Sequence, residues 1–392
     1  MQRYIQLTTE QYQQIDVLCP ADEGLLSFNR MPLPCYAPLL LEFIRVFSHE
    51  LSLLETVPSA RALGFFLRER VLHHQIEQRL AQGKRAPLGV SFHLVPANVP
   101  MVAFHSAIAS LLQGNPTLVR LSSRELPDQQ AVIKVLNRLL AQPRWQMVAE
   151  RLRIIRYPHD EGLTQSLSDY CASRVIWGGD QSIAAIRRLP LPAGAKELTF
   201  ADRQSLALFD EVALRELPAR AIQLQLQQLA VDIGQFDQQS CSSPGLLLWI
   251  GRDTTMRQRV FRQLARFIPD ELKRASEQLL QLQQAAIDGD ISHYQQADRI
   301  GWGELSWGES LPIRRGGTLY WQQVEQLETW LETMANYQTC VMVGGSRQSL
   351  RDQLLEYPSL RVDRVVAPGQ ALAFDWYWDG VDLLSELSRA QR

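Results

Sequence analysis

Cys241 stands in the run Phe236-Asp237-Gln238-Gln239-Ser240-Cys241-Ser242-Ser243-Pro244, among hydroxyl side chains and just ahead of the apolar stretch Gly245-Leu246-Leu247-Leu248-Trp249-Ile250. A thiol flanked by serines is open to approach, whereas a cysteine that merely fills space is usually wrapped in apolar residues. The chemistry open to it is nucleophilic: it can take up an acyl group. Two other loops carry groups that would serve such a nucleophile. In Val95-Pro96-Ala97-Asn98-Val99-Pro100, Asn98 precedes a helical pattern, where it is either an ordinary N-cap or a hydrogen-bond donor to a developing oxyanion. In Trp177-Gly178-Gly179-Asp180, paired glycines between strand and helix let a ligand or phosphate approach the helix N-terminus, although plain strand-to-helix turns use the same pair. A Gly-x-Gly-x-x-Gly run at a strand end is absent, and with it the usual dinucleotide fingerprint.

The elements that must hold these loops alternate. Strand 88–95, helix 100–113 and strand 117–121 make a βαβ unit, with Gly114-Asn115-Pro116 as the helix stop. Helix 127–140, strands 152–157 and 174–177, helix 181–188 and strands 196–200 and 205–209 continue it. This pattern predicts a doubly wound α/β domain over 86–235, with the three loops converging at the carboxyl ends of its strands. Residues 1–85 read as a helical N-terminal segment, a lid or scaffold. A second α/β domain, 236–360, opens with the cysteine loop and continues through strand 245–250, a long helical region 254–287, strands 317–321 and 339–343 and a helix between them. The aromatic end, 361–392, suits an edge strand or hairpin that pairs either between subunits or within the chain.

Composition bounds the partners. The chain has 392 residues, a net charge of −2, 46% hydrophobic and 21% charged residues. It therefore carries no electrostatic footprint for nucleic acid or anionic membrane. Five cysteines without a Cys-x-x-Cys and seven scattered histidines argue against disulfides and metal, and fit a reducing compartment. With no signal-peptide core at the N-terminus and no apolar run long enough to span a bilayer, a cytoplasmic location is expected.

Pro96-Ala97-Asn98-Val99-Pro100, then Gly114-Asn115, then Leu118-Val119-Arg120-Leu121-Ser122 resembles the aldehyde dehydrogenase signature of Pro-Trp-Asn-Phe-Pro, Gly-Asn and a strand ending in Lys-Pro-Ser. The cysteine segment, Trp177-Gly178-Gly179-Asp180, Tyr337-Gln338-Thr339 and Trp378-Asp379-Gly380 narrow the resemblance to the acyl-CoA reductase family, typified by the reductase subunit of the bacterial bioluminescence fatty-acid reductase complex. It covers roughly residues 85–385. The resemblance implies an aldehyde-dehydrogenase-like fold: a doubly wound NADPH-binding domain and an α/β catalytic domain. It also implies NADPH-dependent reduction of a fatty acyl-CoA or acyl-protein thioester to a fatty aldehyde through a cysteine-bound acyl group. Partners would be an acylated protein or a synthetase/transferase complex, and further copies of the chain. Motif matching makes Cys241 the nucleophile and Asn98 the oxyanion donor, and puts Pro96, Arg120, Ser122, Trp177, Gly178 and Gly179 along the cofactor. Arg120 replaces the lysine of the dehydrogenases and is suited to a 2′-phosphate, or else belongs to a surface ion pair. The dehydrogenases' Glu-Leu-Gly-Gly-Lys has no counterpart glutamate in Phe200-Ala201-Asp202-Arg203-Gln204, which suits a reductase and leaves the base for Cys241 unassigned; Glu197 is near in sequence. The alternatives are aldehyde oxidation, acyl-phosphate reduction and a non-catalytic acyl-binding subunit.

Overall fold

The computed structural model describes all residues except 1–4, 6, 22–27, 82, 307–310, 313–316, 334 and 392. Two compact units emerge: residues 1–202 together with 374–392, and residues 203–373. The break therefore falls at 202/203, where the alternation of elements pointed to 235/236.

The first unit contains β1 (Asp16–Cys19), β2 (Arg85–Pro87), β3 (Ser91–Leu94), β4 (Thr117–Leu121), β5 (Leu152–Arg156), β6 (Ser173–Trp177) and β7 (Lys196–Phe200). Six of these form a sheet in the order β1-β5-β4-β3-β6-β7, parallel except for β1 at one edge. Such strands are covered on both faces, so β3 and β6 are buried throughout rather than alternating. The crossover helix Val102–Leu112 is buried at every position, including His105, Ser106 and Ser110 within its otherwise apolar sequence. The helix Pro127–Leu140 instead turns one apolar stripe inward, with a proline in its first turn. Residues 1–85 are not a detached lid: β1 extends the sheet, and Phe43 of the helix Pro38–Ser52 meets Trp145 edge-on at 5.4 Å in the same core.

The second unit holds β8 (Gln204–Asp210), β9 (Pro244–Ile250), β10 (Ile291–Ala297), β11 (Ile300–Leu305), β12 (Thr318–Val324), β13 (Asn336–Val343) and β14 (Arg361–Val366). Its sheet runs β10-β11-β12-β9-β8-β13-β14, parallel apart from the β10–β11 hairpin. β8, expected in the first sheet, lies in this one. A parallel crossover needs a dozen or more residues, and β7 and β8 are joined only by Ala201, Asp202 and Arg203. The long helical region is two helices, Thr254–Phe267 and Ala275–Asp288, separated around Pro269.

The aromatic end is divided between the units. β14 closes one edge of the second sheet, while the chain from 374 packs on the first unit. There β15 (Tyr377–Trp378) and β16 (Val381–Asp382) form a hairpin whose turn residues Asp379 and Gly380 have φ of 49° and 74°. Trp376 is buried, stacks on His105 at 5.1 Å and donates to Gln75 at 2.7 Å. β17 (Ser388–Ala390) then pairs antiparallel with β2. Asn115 links this segment to the first sheet: its Oδ1 accepts the Leu88 and Gly89 N–H groups, and its Nδ2 donates to the Leu387 carbonyl at 2.7 Å. Among the described residues, no helix is long and apolar enough to cross a membrane.

Candidate active site

Cys241 belongs to the second unit and sits at the amino end of β9, not at a carboxyl end as the sequence suggested. It occupies the second position of a turn closed by Ser243 N–H to Ser240 O at 3.0 Å. Cys241 is partly exposed, whereas Ser240, Ser242 and Ser243 are buried. Ahead of the turn, Phe236, Asp237 and Gln238 are all left-handed, with φ of 53°, 53° and 60°. Non-glycine residues pay roughly 1–2 kcal/mol each for that conformation, so something must hold it. Gln238 does: its buried carboxamide accepts the Gly317 N–H at 3.0 Å and donates to the Thr318 carbonyl at 3.1 Å. Asp237 adds an ion pair to Arg274 at 2.7 Å.

The turn is tied to the sheet by side chains. Ser205 Oγ donates to the Cys241 carbonyl at 2.6 Å and accepts the Thr339 N–H at 3.1 Å. Ser242 Oγ donates to Gln338 Oε1 at 2.8 Å. The Tyr337-Gln338-Thr339 motif is thus part of the seat of the cysteine loop.

The other cysteines are poorly suited to attack, since the thiolate is the nucleophile. Burial pushes the Cys19 thiol up to about 12 and Cys35 to about 11, and raises Cys171 and Cys340 strongly. Glu197 does not offer a base: Arg174 and Arg187 bind its two oxygens, and it pairs with Arg174 near the amino end of β7. Among the described residues, no cluster of three or more His, Cys, Asp or Glu could hold a metal.

The remaining predicted residues gather in the first unit. β4, β3 and β6 are adjacent, with Arg120, Leu94 and Ile176 in register. Pro96 and Asn98 after β3, Arg120 and Ser122 at the end of β4, and Trp177, Gly178 and Gly179 at the end of β6 therefore share one sheet edge. Asn98 is not an N-cap, because the helix starts at Val102 with Met101 as its cap. Among the described residues, Arg120 makes no surface ion pair. It donates to the Tyr157 carbonyl at 3.2 Å, lies over the Tyr157 ring, and has a buried Nε without a partner. It opens on a cavity of about 120 Å³ shared with His159, Asp160 and Ser182. Burial presses its guanidinium below arginine's ordinary value, and Tyr157 opposes this. Gly178 has room at its Cα, but a Cβ on Gly179 would lie 2.8 Å from the Asp202 carboxylate. Gly179 thus accommodates Asp202, and only Gly178 leaves space for a ligand. A guanidinium with one unpartnered N–H, at the same sheet edge as the Gly178 turn, is a donor that the anionic part of a nucleotide could use, although Asp160 and Glu161 line the same cavity.

Sequence reasoning missed the support beneath Trp177. Its indole N–H donates to Ser106 Oγ at 3.1 Å, and Ser106 meets His93 Nδ1 at 2.6 Å. His93 Nε2 contacts Ser91, which accepts from Ser173. This chain is fully buried, and burial pulls His93 down to about 3, so it is a neutral imidazole. The Trp177 ring also stacks on Phe200 with centroids 4.0 Å apart. The only signal was polar residues inside apolar runs, which does not say what they meet.

Residues 48–298 match the family model described as acyl-CoA reductase (LuxC). A long-chain acyl-protein thioester reductase of Aliivibrio fischeri is 27% identical over 184 residues, covering 45% of this chain and 36% of that protein. Another, from Photobacterium leiognathi, is 28% identical over 186 residues, with the same coverage. The matches thus span little more than a third of these relatives' length. Among solved structures, an oxidoreductase from Marinobacter aquaeolei superposes with a TM-score of 0.66 at 11% identity, over 93% of this chain and 87% of that one. An NAD-dependent benzaldehyde dehydrogenase from Corynebacterium glutamicum gives 0.59 at 10% identity, over 91% and 83%. These likenesses are of fold, and the fold is that of the aldehyde dehydrogenases.

Proposed function

The chain belongs to the acyl-CoA reductase (LuxC) family, and from that membership we propose that it reduces a fatty acyl thioester to an aldehyde, with Cys241 as the acyl acceptor. The observation that carries the reading is the cysteine turn inside the matched region: a partly exposed cysteine on a turn whose backbone is fixed by buried side chains. Attack of the Cys241 thiolate on the acyl carbonyl forms the new C–S bond, and collapse of the tetrahedral adduct expels the donor thiol. Asn98, assigned by its motif, donates to the oxyanion. NADPH, when bound, supplies the hydride. Arg120, Ser122, Trp177 and Gly178 would hold it, with Arg120 at the 2′-phosphate and Pro96 shaping the loop. After reduction, the thiohemiacetal on Cys241 breaks its C–S bond, returning the thiolate and releasing the aldehyde. The absence of a glutamate from Phe200-Ala201-Asp202-Arg203-Gln204, where the dehydrogenases carry the one that activates water, supports this outcome over hydrolysis to an acid.

The acyl donor is a long-chain acyl group carried on a protein, by analogy with the relatives, or on CoA. A synthetase/transferase partner, self-association and a cytoplasmic location belong to the same proposal. The test is NADPH oxidation with acyl-CoAs of increasing length and with an acylated carrier protein, alongside Cys241→Ala. Turnover that peaks at one length and disappears in the variant is expected. Turnover retained by Cys241→Ala would overturn the assignment, and wild type inert toward every donor would overturn the reductase reading.

A further inference from the structure

We propose that Ser205 is the positioning residue of the nucleophile, an inference that rests on Cys241 being that nucleophile. Ser205 lies where both neighbouring strands slip. Tyr337 and Thr339 of β13 pair with the consecutive residues Gln204 and Ser205, so Gln338 is extra. On the other side Pro244 and Leu246 pair with Ser205 and Leu206, so Gly245 is extra. Two irregularities at one residue loosen the ladder there, and such bulges commonly re-aim side chains beside reactive groups. The Ser205 hydroxyl uses the opening. It takes the Thr339 N–H as acceptor and spends its own proton on the Cys241 carbonyl.

The Cys241–Ser242 peptide unit is thereby held at both poles. Ser205 grips the carbonyl at 2.6 Å, and Ser240 Oγ accepts the Ser242 N–H at 3.3 Å. Fixing that plane fixes ψ at Cys241, and with it the direction in which Cα–Cβ carries the sulfur. Ser205 is fully buried, so water cannot replace the bond it makes. It touches neither substrate nor cofactor in this scheme; it acts only through the cysteine backbone.

The experiment is the rate at which iodoacetamide alkylates Cys241, resolved by peptide mass, from pH 6 to 9 in the folded protein. Three forms are compared: wild type, Ser205→Ala and Gln225→Leu. The last breaks a side-chain bond to the Gly344 N–H, beyond the far end of β13, and serves as a control for general loosening. Ser205→Ala is expected to change the limiting alkylation rate and its pH midpoint, and to lower kcat about ten- to a hundredfold with KM little altered. Gln225→Leu is expected to lower the melting temperature alone. Wild-type alkylation across the pH range in folded Ser205→Ala overturns the proposal, as does an equal change in Gln225→Leu. Because alkylation needs neither acyl donor nor NADPH, a failure of the reductase reading leaves this outcome readable.

Discussion

The proposed role of Arg120 rests on a side chain whose hydrogen bonds are incomplete. Among the described residues its guanidinium donates to the Tyr157 carbonyl and lies over the Tyr157 ring, and its Nε is buried without a partner. A buried N–H without a partner is costly, and in the proposed complex the cofactor's 2′-phosphate would relieve it. Replacing Arg120 with alanine is therefore expected to raise KM for NADPH about tenfold or more while leaving KM for NADH nearly unchanged, read from steady-state rates with each cofactor. Equal effects on both would remove the 2′-phosphate assignment. Arg120 and Cys241 were legible in the sequence because their neighbours form motifs. Ser205, His93 and Ser106 were not, because their partners lie on other strands and helices, and a hydroxyl inside an apolar run does not announce what it will bond.

At the scale of elements, local pattern sufficed wherever the signal was local. The helix Pro127–Leu140 and the strands Thr117–Leu121 and Lys196–Phe200 fall where periodicity and turn residues placed them. The β10–β11 hairpin escaped notice because its turn uses Asp298 and Arg299 at φ of 54° and 64°, with no glycine to mark it. Sheet membership escaped too, since the three-residue link before β8 looks like any turn until one asks whether a parallel crossover fits inside it. Gly114 is the reverse case, a motif residue whose task is purely structural. Its φ is +75°, and a Cβ there would lie 1.9 Å from the Leu33 carbonyl oxygen, which is backbone and cannot swing away. Gly114→Ala is expected to cost at least ~3 kcal/mol, measured by urea unfolding. A loss under ~1 kcal/mol would show that the Leu33 loop does not pack as described.

Across the whole molecule, two buried groups, one in each unit, respond oppositely to acid. In the first, the buried His93 is held down to about 3, far below the usual 6.5. The stability this provides is present above pH 6.5 and is lost progressively as pH falls toward 3. In the second, burial lifts Asp232 to about 6 against 3.8, although its carboxylate accepts the Gly369 and Ala371 N–H groups. That contribution is present below pH 3.8 and is lost as pH rises through 6; the gap corresponds to ~3 kcal/mol. Denaturant midpoints from pH 4.5 to 8 check both signs. Wild type should lose ground to Asp232→Asn as pH rises, and to His93→Gln as pH falls. Parallel curves for any pair would mean that the group does not titrate across the transition.

The split path of the first unit has a consequence for how the protein is made. Its sheet is complete once the chain has passed residue 202, yet β2 lacks its partner β17, and His105 lacks Trp376, until residues 376–390 have been joined. On the ribosome, the second unit is therefore fully synthesised while the first still exposes the apolar surface that its own ending will cover. Residues 374–390 thus join the first unit only after the whole of the second has been made, and the ring face of His105 that Trp376 covers waits for that length of synthesis.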